Sequence, residues 1–159
     1  MTSRTYLQGS QPTLDELKQH LRITGTDMDA ELGLKLRASI RSAEHYIGQI
    51  IAESVFALTS SFSSAVTLEG PVIGVSGVEV DGVSLDDSCW SLDGRILTID
   101  AEGTALKVTY TAGLPSVDDD IKAAILLHAA ALFSNPVDSV ETLPKASSRL
   151  LDPYRTWGV

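Results

Sequence analysis

The chain has 159 residues, which suits a single domain that buries its own core without disulfides or bound metal. Twelve Lys and Arg residues against 21 Asp and Glu residues give a formal net charge of −9. This balance argues against general binding to nucleic acid, because phosphate contacts need clustered basic side chains. The single cysteine, Cys89, excludes an internal disulfide framework and a cysteine-rich zinc site, and it fits a reducing cytoplasm.

The first part of the chain predicts an arm followed by two helices. Residues 1–11 are polar and irregular, so we expect a flexible N-terminal arm. Thr13 and Glu16 form a capping box that begins a helix over residues 13–23. A sustained apolar stripe of helical period then predicts a long helix over residues 29–52. The residues of this stripe are Leu32, Leu36, Ile40, Ala43, Ile47 and Ile51.

Two arginines lie one turn apart on the polar face of the long helix. Arg37 and Arg41 repel each other slightly unless an acidic group faces them. One interpretation is a solvated helix face with Glu44 nearby. The other is a contact with a partner protein or with another subunit, and the sequence leaves both open.

The central part of the chain, residues 55–113, has the composition of β-structure. Asp81-Gly82 and Asp93-Gly94 each lie between two short apolar segments, which is a strong signal for a two-residue hairpin turn. We expect an antiparallel sheet of about five strands, inserted between the long second helix and the third helix. The predicted fold class is therefore α+β and mainly helical, with helices at both ends.

Residues 118–134 predict a third helix that is apolar on nearly every side. Lys122 and His128 interrupt its core, but they lie too far apart around the helix to define one polar face. Such a helix must be buried all round, so its second face needs a neighbour, either the inserted sheet or another subunit. We interpret His128 as a hydrogen-bonded core or interface histidine, because no Cys or second His stands at ligand spacing.

The C-terminal part predicts a short helix over residues 144–151 and a tail over residues 154–159. The tail contains Tyr154, Arg155 and Trp157, a composition typical of interfaces. We expect the tail to dock, within or between subunits, and the alternative is intramolecular packing that holds the C-terminal segment in place. The single domain itself is predicted to span residues 12–153.

The sequence carries no recognisable catalytic, metal-binding or cofactor-binding motif. Asp118, Asp119 and Asp120 could be imagined as a metal site, but consecutive carboxylates at a helix start point in different directions. An N-cap and a favourable interaction with the helix dipole explain them better. The chain lacks a G-x-S-x-G nucleophile elbow and a Gly-Lys-Ser/Thr phosphate loop. We therefore expect no enzymatic activity, no metal and no cofactor.

Three stretches together resemble the head–tail connector proteins of tailed phages. Residues 13–23 contain the pattern L-x-E-x-K-x-x-L-R, followed by an acidic turn and the long helix. Residues 108–115 contain Y-x-A-G, and residues 119–125 then begin a helix with acidic residues and Ile-Lys. Residues 150–155 match the family's L-L-x-P-Y-R. The central residues 54–105 are not distinctive.

This resemblance implies a non-enzymatic structural protein of the virion neck. It implies a ring of about twelve subunits beneath the portal protein, which extends the DNA channel and presents a platform to the next neck or tail protein. Genomic DNA would pass through the channel without sequence-specific binding. The candidate partner or subunit contacts are Arg37, Arg41, Lys122, His128, Tyr154, Arg155 and Trp157. The alternatives are a head-closure or tail-completion protein and, more remotely, a small metal-dependent hydrolase.

Overall fold

The computed structural model describes residues 1–7, 9–135 and 143–156. Helices and antiparallel sheets are both present, which confirms the predicted α+β class. The chain divides into two compact units, whereas the sequence predicted one domain over residues 12–153. The β unit combines Met1–Gly9 with Ala52–Pro115, and the helical unit combines Ser10–Ile51 with Ser116–Val159. The strands form a unit of their own because they bury their own apolar core.

The eight strands of the described residues form two sheets, in which every pairing is antiparallel. One sheet has five strands in the order β1-β2-β8-β4-β5, and the other has three in the order β3-β7-β6. Helices and strands are comparably extensive in the described residues, so the expectation of a mainly helical chain is not confirmed. The strands are β1 (Thr2–Tyr6), β2 (Ser54–Ser61), β3 (Ala65–Thr67), β4 (Val72–Val80), β5 (Val83–Ser84), β6 (Trp90–Asp93), β7 (Ile96–Ile99) and β8 (Ala105–Ala112).

Both predicted hairpins form, but they belong to different sheets. Between β4 and β5, Asp81 and Gly82 adopt φ values of 50° and 82°, the left-handed conformation that a two-residue turn of this type requires. The Asp81 carboxylate also accepts a 2.7 Å hydrogen bond from the Thr104 hydroxyl. Between β6 and β7, Gly94 has a φ of 59°. The single sheet predicted is wrong because β3 pairs with β7 and forms a separate sheet with it.

The predicted flexible N-terminal arm is instead partly a strand. β1 pairs with β2 in an unbroken register from Thr2 opposite Leu58 to Tyr6 opposite Ser54. Arg4 anchors it: the guanidinium lies 5.3 Å from the centre of the Phe56 ring and donates a 2.9 Å hydrogen bond to the Ser54 hydroxyl. The polar sequence of β1 is suited to the edge of a sheet, where one side of a strand remains in water.

The helical unit contains four α-helices among the described residues. The predicted capping box is confirmed, since the Glu16 amide donates to the Thr13 hydroxyl at 3.2 Å and the Thr13 amide donates to the Glu16 carboxylate at 2.7 Å. None of the described helices is long and apolar enough to span a membrane. The helices are α1 (Leu14–Leu21), α2 (Asp29–Ile47), α3 (Asp119–Ser134) and α4 (Lys145–Leu151).

The long helix α2 ends earlier than predicted. Gly48 follows Ile47 with a φ of 75°, a left-handed conformation that commonly ends a helix. The chain then turns, and the amide of the buried Ile51 donates a 2.9 Å hydrogen bond to the carboxylate of Glu44. Ile51 is thus buried as the apolar stripe predicted, but outside the helix.

The buried stripe of α2 faces the other helices of the unit. α2 and α4 both pack against α3, and α1 packs against α2 and α3. This arrangement leaves the opposite face of α2 in solvent. The largest contributors to the core of the unit are Leu17, Leu32, Leu36, Ile40, Ile47, Ile121, Ile125 and Leu151.

Candidate partner-contact surfaces

The solvent-facing side of α2 combines apolar and basic side chains. Leu34 is 60% exposed on this side of the helix. Arg37 and Arg41 are also exposed, and neither makes a hydrogen bond or ion pair within the described residues. Three lysines of the described chain, by contrast, do pair with carboxylates, namely Lys18, Lys107 and Lys122. The predicted arginine pair is therefore available for an acidic partner.

Two tail residues predicted to dock make contacts inside the helical unit. The Tyr154 hydroxyl donates a 2.9 Å hydrogen bond to the Asp118 carboxylate, which raises the pKa of Tyr154. The Arg155 guanidinium lies 5.1 Å from the centre of the Tyr46 ring. These contacts agree with the alternative in which packing holds the C-terminal segment. Trp157, the third candidate in this tail, lies outside the described residues.

Further bonds fix the same segment to the end of α2. The Tyr46 hydroxyl donates to the Asp152 carboxylate, and this hydrogen bond raises the pKa of Tyr46. The amide and hydroxyl of Thr156 both donate to the Ile47 carbonyl at 2.8 Å. We use the name tail clamp for the segment Asp152–Thr156 together with its partners, which are Tyr46 and Ile47 of α2 and Asp118 before α3. The L-L-x-P-Y-R stretch thus joins three parts of the helical unit.

His128 is buried on α3, and its Nδ1 atom has no hydrogen-bond partner among the described residues. Burial lowers the pKa of His128, so the neutral imidazole is favoured. The predicted hydrogen bond is therefore absent at this nitrogen. No group of three or more potential metal-ligating side chains occurs in the described part of the chain.

Lys122 and the partly exposed apolar side chains of α3 form a further candidate contact surface. Lys122 is half-buried, and its Nζ lies 3.9 Å from a Glu16 carboxylate oxygen of α1. On the same helix four large apolar side chains remain partly exposed, so the helix is not buried all round within the described chain. These side chains are Leu126, Leu127, Leu132 and Phe133.

The acidic residues before and within the first turn of α3 divide into two kinds. Asp118 occupies the N-cap position, but its side chain makes no capping bond and instead accepts the bond from Tyr154. Asp118 is thus the N-cap residue by position, as predicted, but without a capping bond from its side chain. Asp119 and Asp120 are exposed in the first turn, where their negative charges interact favourably with the positive end of the helix dipole. Neither forms an ion pair or a hydrogen bond through its side chain within the described residues.

Sequence reasoning missed Tyr46, Asp152 and Thr156 as members of the tail clamp. The only signal was the position of Tyr46 in the last turn of the long helix, close to the glycine that ends it. Its partner lies 106 residues further along the chain, and no local pattern connects the two.

The fold is shared with neck proteins of phage-like particles. The chain aligns over 100% of its length, and over 97% of the other chain, with "Neck of empty GTA particle computed with C6 symmetry" at a TM-score of 0.75 and 24% identity. "Neck of native GTA particle computed with C12 symmetry" matches with the same coverage at a TM-score of 0.74 and 22% identity. "Virion of native gene transfer agent (GTA) particle" matches at a TM-score of 0.73 and 24% identity, over 100% of this chain and 97% of the other.

The comparison with protein families identifies the N-terminal part more closely. Residues 11–68 match the family described as "Phage gp6-like head-tail connector protein". No curated protein matches the sequence. The family match includes the α1 pattern and the whole long helix on which part of the resemblance was based. The predicted resemblance to phage head–tail connector proteins is therefore confirmed.

Proposed function

We propose that this protein is a structural, non-enzymatic head–tail connector in the neck of a tailed phage, prophage or phage-like particle. The observation that carries the proposal is the shared fold, over 100% of this chain, with neck chains of particles that have rotational symmetry. The family match over residues 11–68 supports the same function independently.

In this proposal the protein works as a ring. Rotational symmetry of the related necks, computed as C6 and C12, favours a closed ring of identical subunits. Repetition around such a ring makes modest contacts add up, so a small subunit can hold a large joint. The ring would lie beneath the portal protein and present a platform to the next neck or tail protein.

The charge of the chain suits a ring through which DNA passes. With a formal charge of −9, the protein offers few clustered cations to hold phosphate. DNA would therefore move through the channel without sequence-specific binding. The predicted docking of Trp157 on a partner belongs to the same proposal, with Tyr154 and Arg155 holding the segment that precedes it.

The test is to delete the gene from its phage or prophage and examine the particles by electron microscopy, with a tagged copy for labelling. We expect heads that lack tails, full restoration by the tagged copy, and label at the head–tail junction. Normally tailed particles after the deletion would contradict the proposal. If the label lies at the junction but the protein is absent from the isolated portal complex, the result would instead favour a head-closure protein.

A further inference from the structure

We propose that the outer face of α2, formed by Leu34, Arg37, Ala38 and Arg41, docks on Asp119 and Asp120 of a neighbouring copy. This inference rests on the proposed ring function and names the contact between its subunits. It concerns two surfaces of the helical unit, each of which is exposed in the single chain.

The position of Leu34 is the first step. At about 100° per residue, Leu34 stands nearly opposite the middle of the buried stripe of α2. It therefore cannot join the core of its own unit, and 60% of its surface remains in solvent. Ala38, one turn away, is also exposed and leaves room for a neighbour to approach. A contact with a neighbouring subunit would remove this apolar surface from water, which favours association.

The two arginines supply the second step. Arg37 and Arg41 follow Leu34 by three and seven positions and so share its face of the helix, and neither has an acidic partner within the described residues. Arginine is enriched in interfaces, where its planar guanidinium binds a carboxylate through two parallel hydrogen bonds. The outer face therefore combines two apolar side chains with two arginines that are unpaired in the described chain, which suits an acidic protein surface.

A second copy of this chain provides such a surface. Asp119 and Asp120 are adjacent, exposed carboxylates without a partner in the described part of the helical unit. α3 packs against the inner side of α2, so its acidic first turn does not lie on the outer face. A ring needs two different complementary patches on each subunit, because every subunit contacts one neighbour with each patch. The two surfaces meet that requirement.

DNA is the competing occupant of a basic face. A phosphate-binding surface needs several clustered cations, whereas this face has only two arginines beside an exposed leucine and alanine. The chain as a whole would also repel DNA, given its charge of −9. These features favour protein, and binding of DNA becomes an outcome of the experiment.

The test uses the full-length protein mixed with its portal, with the mass of the complex measured by light scattering across a range of protein concentrations. R37E/R41E should need at least about tenfold more protein to fill the portal complex, because like charges would face each other. K145E/R149E is the matched control, since it makes the same charge change at exposed positions of α4 and should assemble as the wild type does. L34Q should weaken assembly in the same direction.

The decisive variant restores the charge pair in reverse. D119K/D120K alone should assemble poorly, and R37E/R41E/D119K/D120K should recover most of the wild-type assembly. Thermal unfolding of each variant checks that the fold is retained. Wild-type assembly by R37E/R41E, or failure of the quadruple variant to recover while it is folded, overturns the inference and leaves the connector function standing. Normal ring mass together with loss of duplex-DNA binding by R37E/R41E, measured by gel mobility shift, also overturns it. A wild-type protein that forms no complex with the portal contradicts the proposed function itself.

Discussion

The Tyr154 hydroxyl donates a 2.9 Å hydrogen bond to the carboxylate of Asp118, which ties the segment after α4 to the residue before α3. With the bond from Tyr46 to Asp152, it fixes the tail clamp at two points. The tail, which was predicted to dock within or between subunits, is thus held within its own unit up to Thr156. Removing residues 154–159 would therefore disturb both the fold and any docking, so the two effects need separate variants.

The tail clamp predicts a loss of stability at alkaline pH. The pKa values of Tyr46 and Tyr154 are raised in the folded protein by hydrogen bonds to carboxylates. The folded state therefore keeps these protons when the unfolded state loses them, near pH 10. The stability that these bonds contribute is complete below about pH 10, and it should fall as the pH rises through the pKa values that Tyr46 and Tyr154 have in the folded protein.

Urea unfolding between about pH 8 and pH 11 measures this effect. The variant Y46F/Y154F should show a shallower decline than the wild type, and it should be less stable at pH 8. Tyr110 still contributes in both proteins, because burial raises its pKa. An unchanged alkaline slope in Y46F/Y154F would show that the tail clamp does not form in solution.

Gly48 is predicted to tolerate no side chain. Its φ is 75°, and an added Cβ would lie 2.8 Å from the Thr156 hydroxyl. G48A should therefore destabilise the protein by about 1–2 kcal/mol from the left-handed conformation alone. G33A is the matched control, because Gly33 lies inside α2 and its Cβ would make only an ordinary 3.5 Å contact with Arg37. It should stabilise the helix by about 0.5–1 kcal/mol. Equal effects of the two substitutions in urea unfolding would contradict the observed end of α2.

Arg4 is predicted to stabilise the β unit although it lies near the N-terminus. It donates hydrogen bonds to the Ser54 hydroxyl and the Ala52 carbonyl and stacks on Phe56. R4A should lower the free energy of unfolding by about 1–3 kcal/mol, because hydrogen bonds to a charged group are stronger than neutral ones. R149A, at an exposed position of α4, should change stability by less than about 0.5 kcal/mol. Hydrogen exchange should show faster opening of β2 in R4A, and unchanged exchange there would mean that β1 does not depend on Arg4.

His128 is predicted to make the protein sensitive to acid. Burial lowers its pKa in the folded state, so the unfolded state binds a proton more readily below about pH 6.5. Stability should be full above that value and fall as the pH drops. H128L should flatten the decline between about pH 7 and pH 5, whereas H45Q, at an exposed position of α2, should not. A decline that persists in H128L would assign the acid sensitivity to other groups.

Features set by neighbouring residues were predictable from the sequence. The capping box at Thr13 and Glu16, the helical period of Leu32 to Ile47 and the turn at Asp81-Gly82 each depend on residues within a few positions of one another. The predicted helix over residues 29–52 was too long because the apolar spacing continued to Ile51. Only the left-handed conformation of Gly48 ends the helix there.

Features set by distant pairing were not predictable. β1 has a polar sequence, and its partners in β2 lie about 50 residues away, with Arg4 opposite Phe56. The separation of the strands into two sheets depends on the pairing of β3 with β7, and the tail clamp depends on Tyr46 meeting Asp152. Arg37 and Arg41 were recognised from helical spacing, but the exposure of Leu34 on the same face required the structure.

The solution mass of the purified protein, measured by light scattering alone and then with its portal, tests the connector function most directly. We expect a ring-sized mass in at least one of the two conditions, with several copies bound to each portal complex. A protein that remains a monomer and leaves the mass of the portal unchanged would contradict the account.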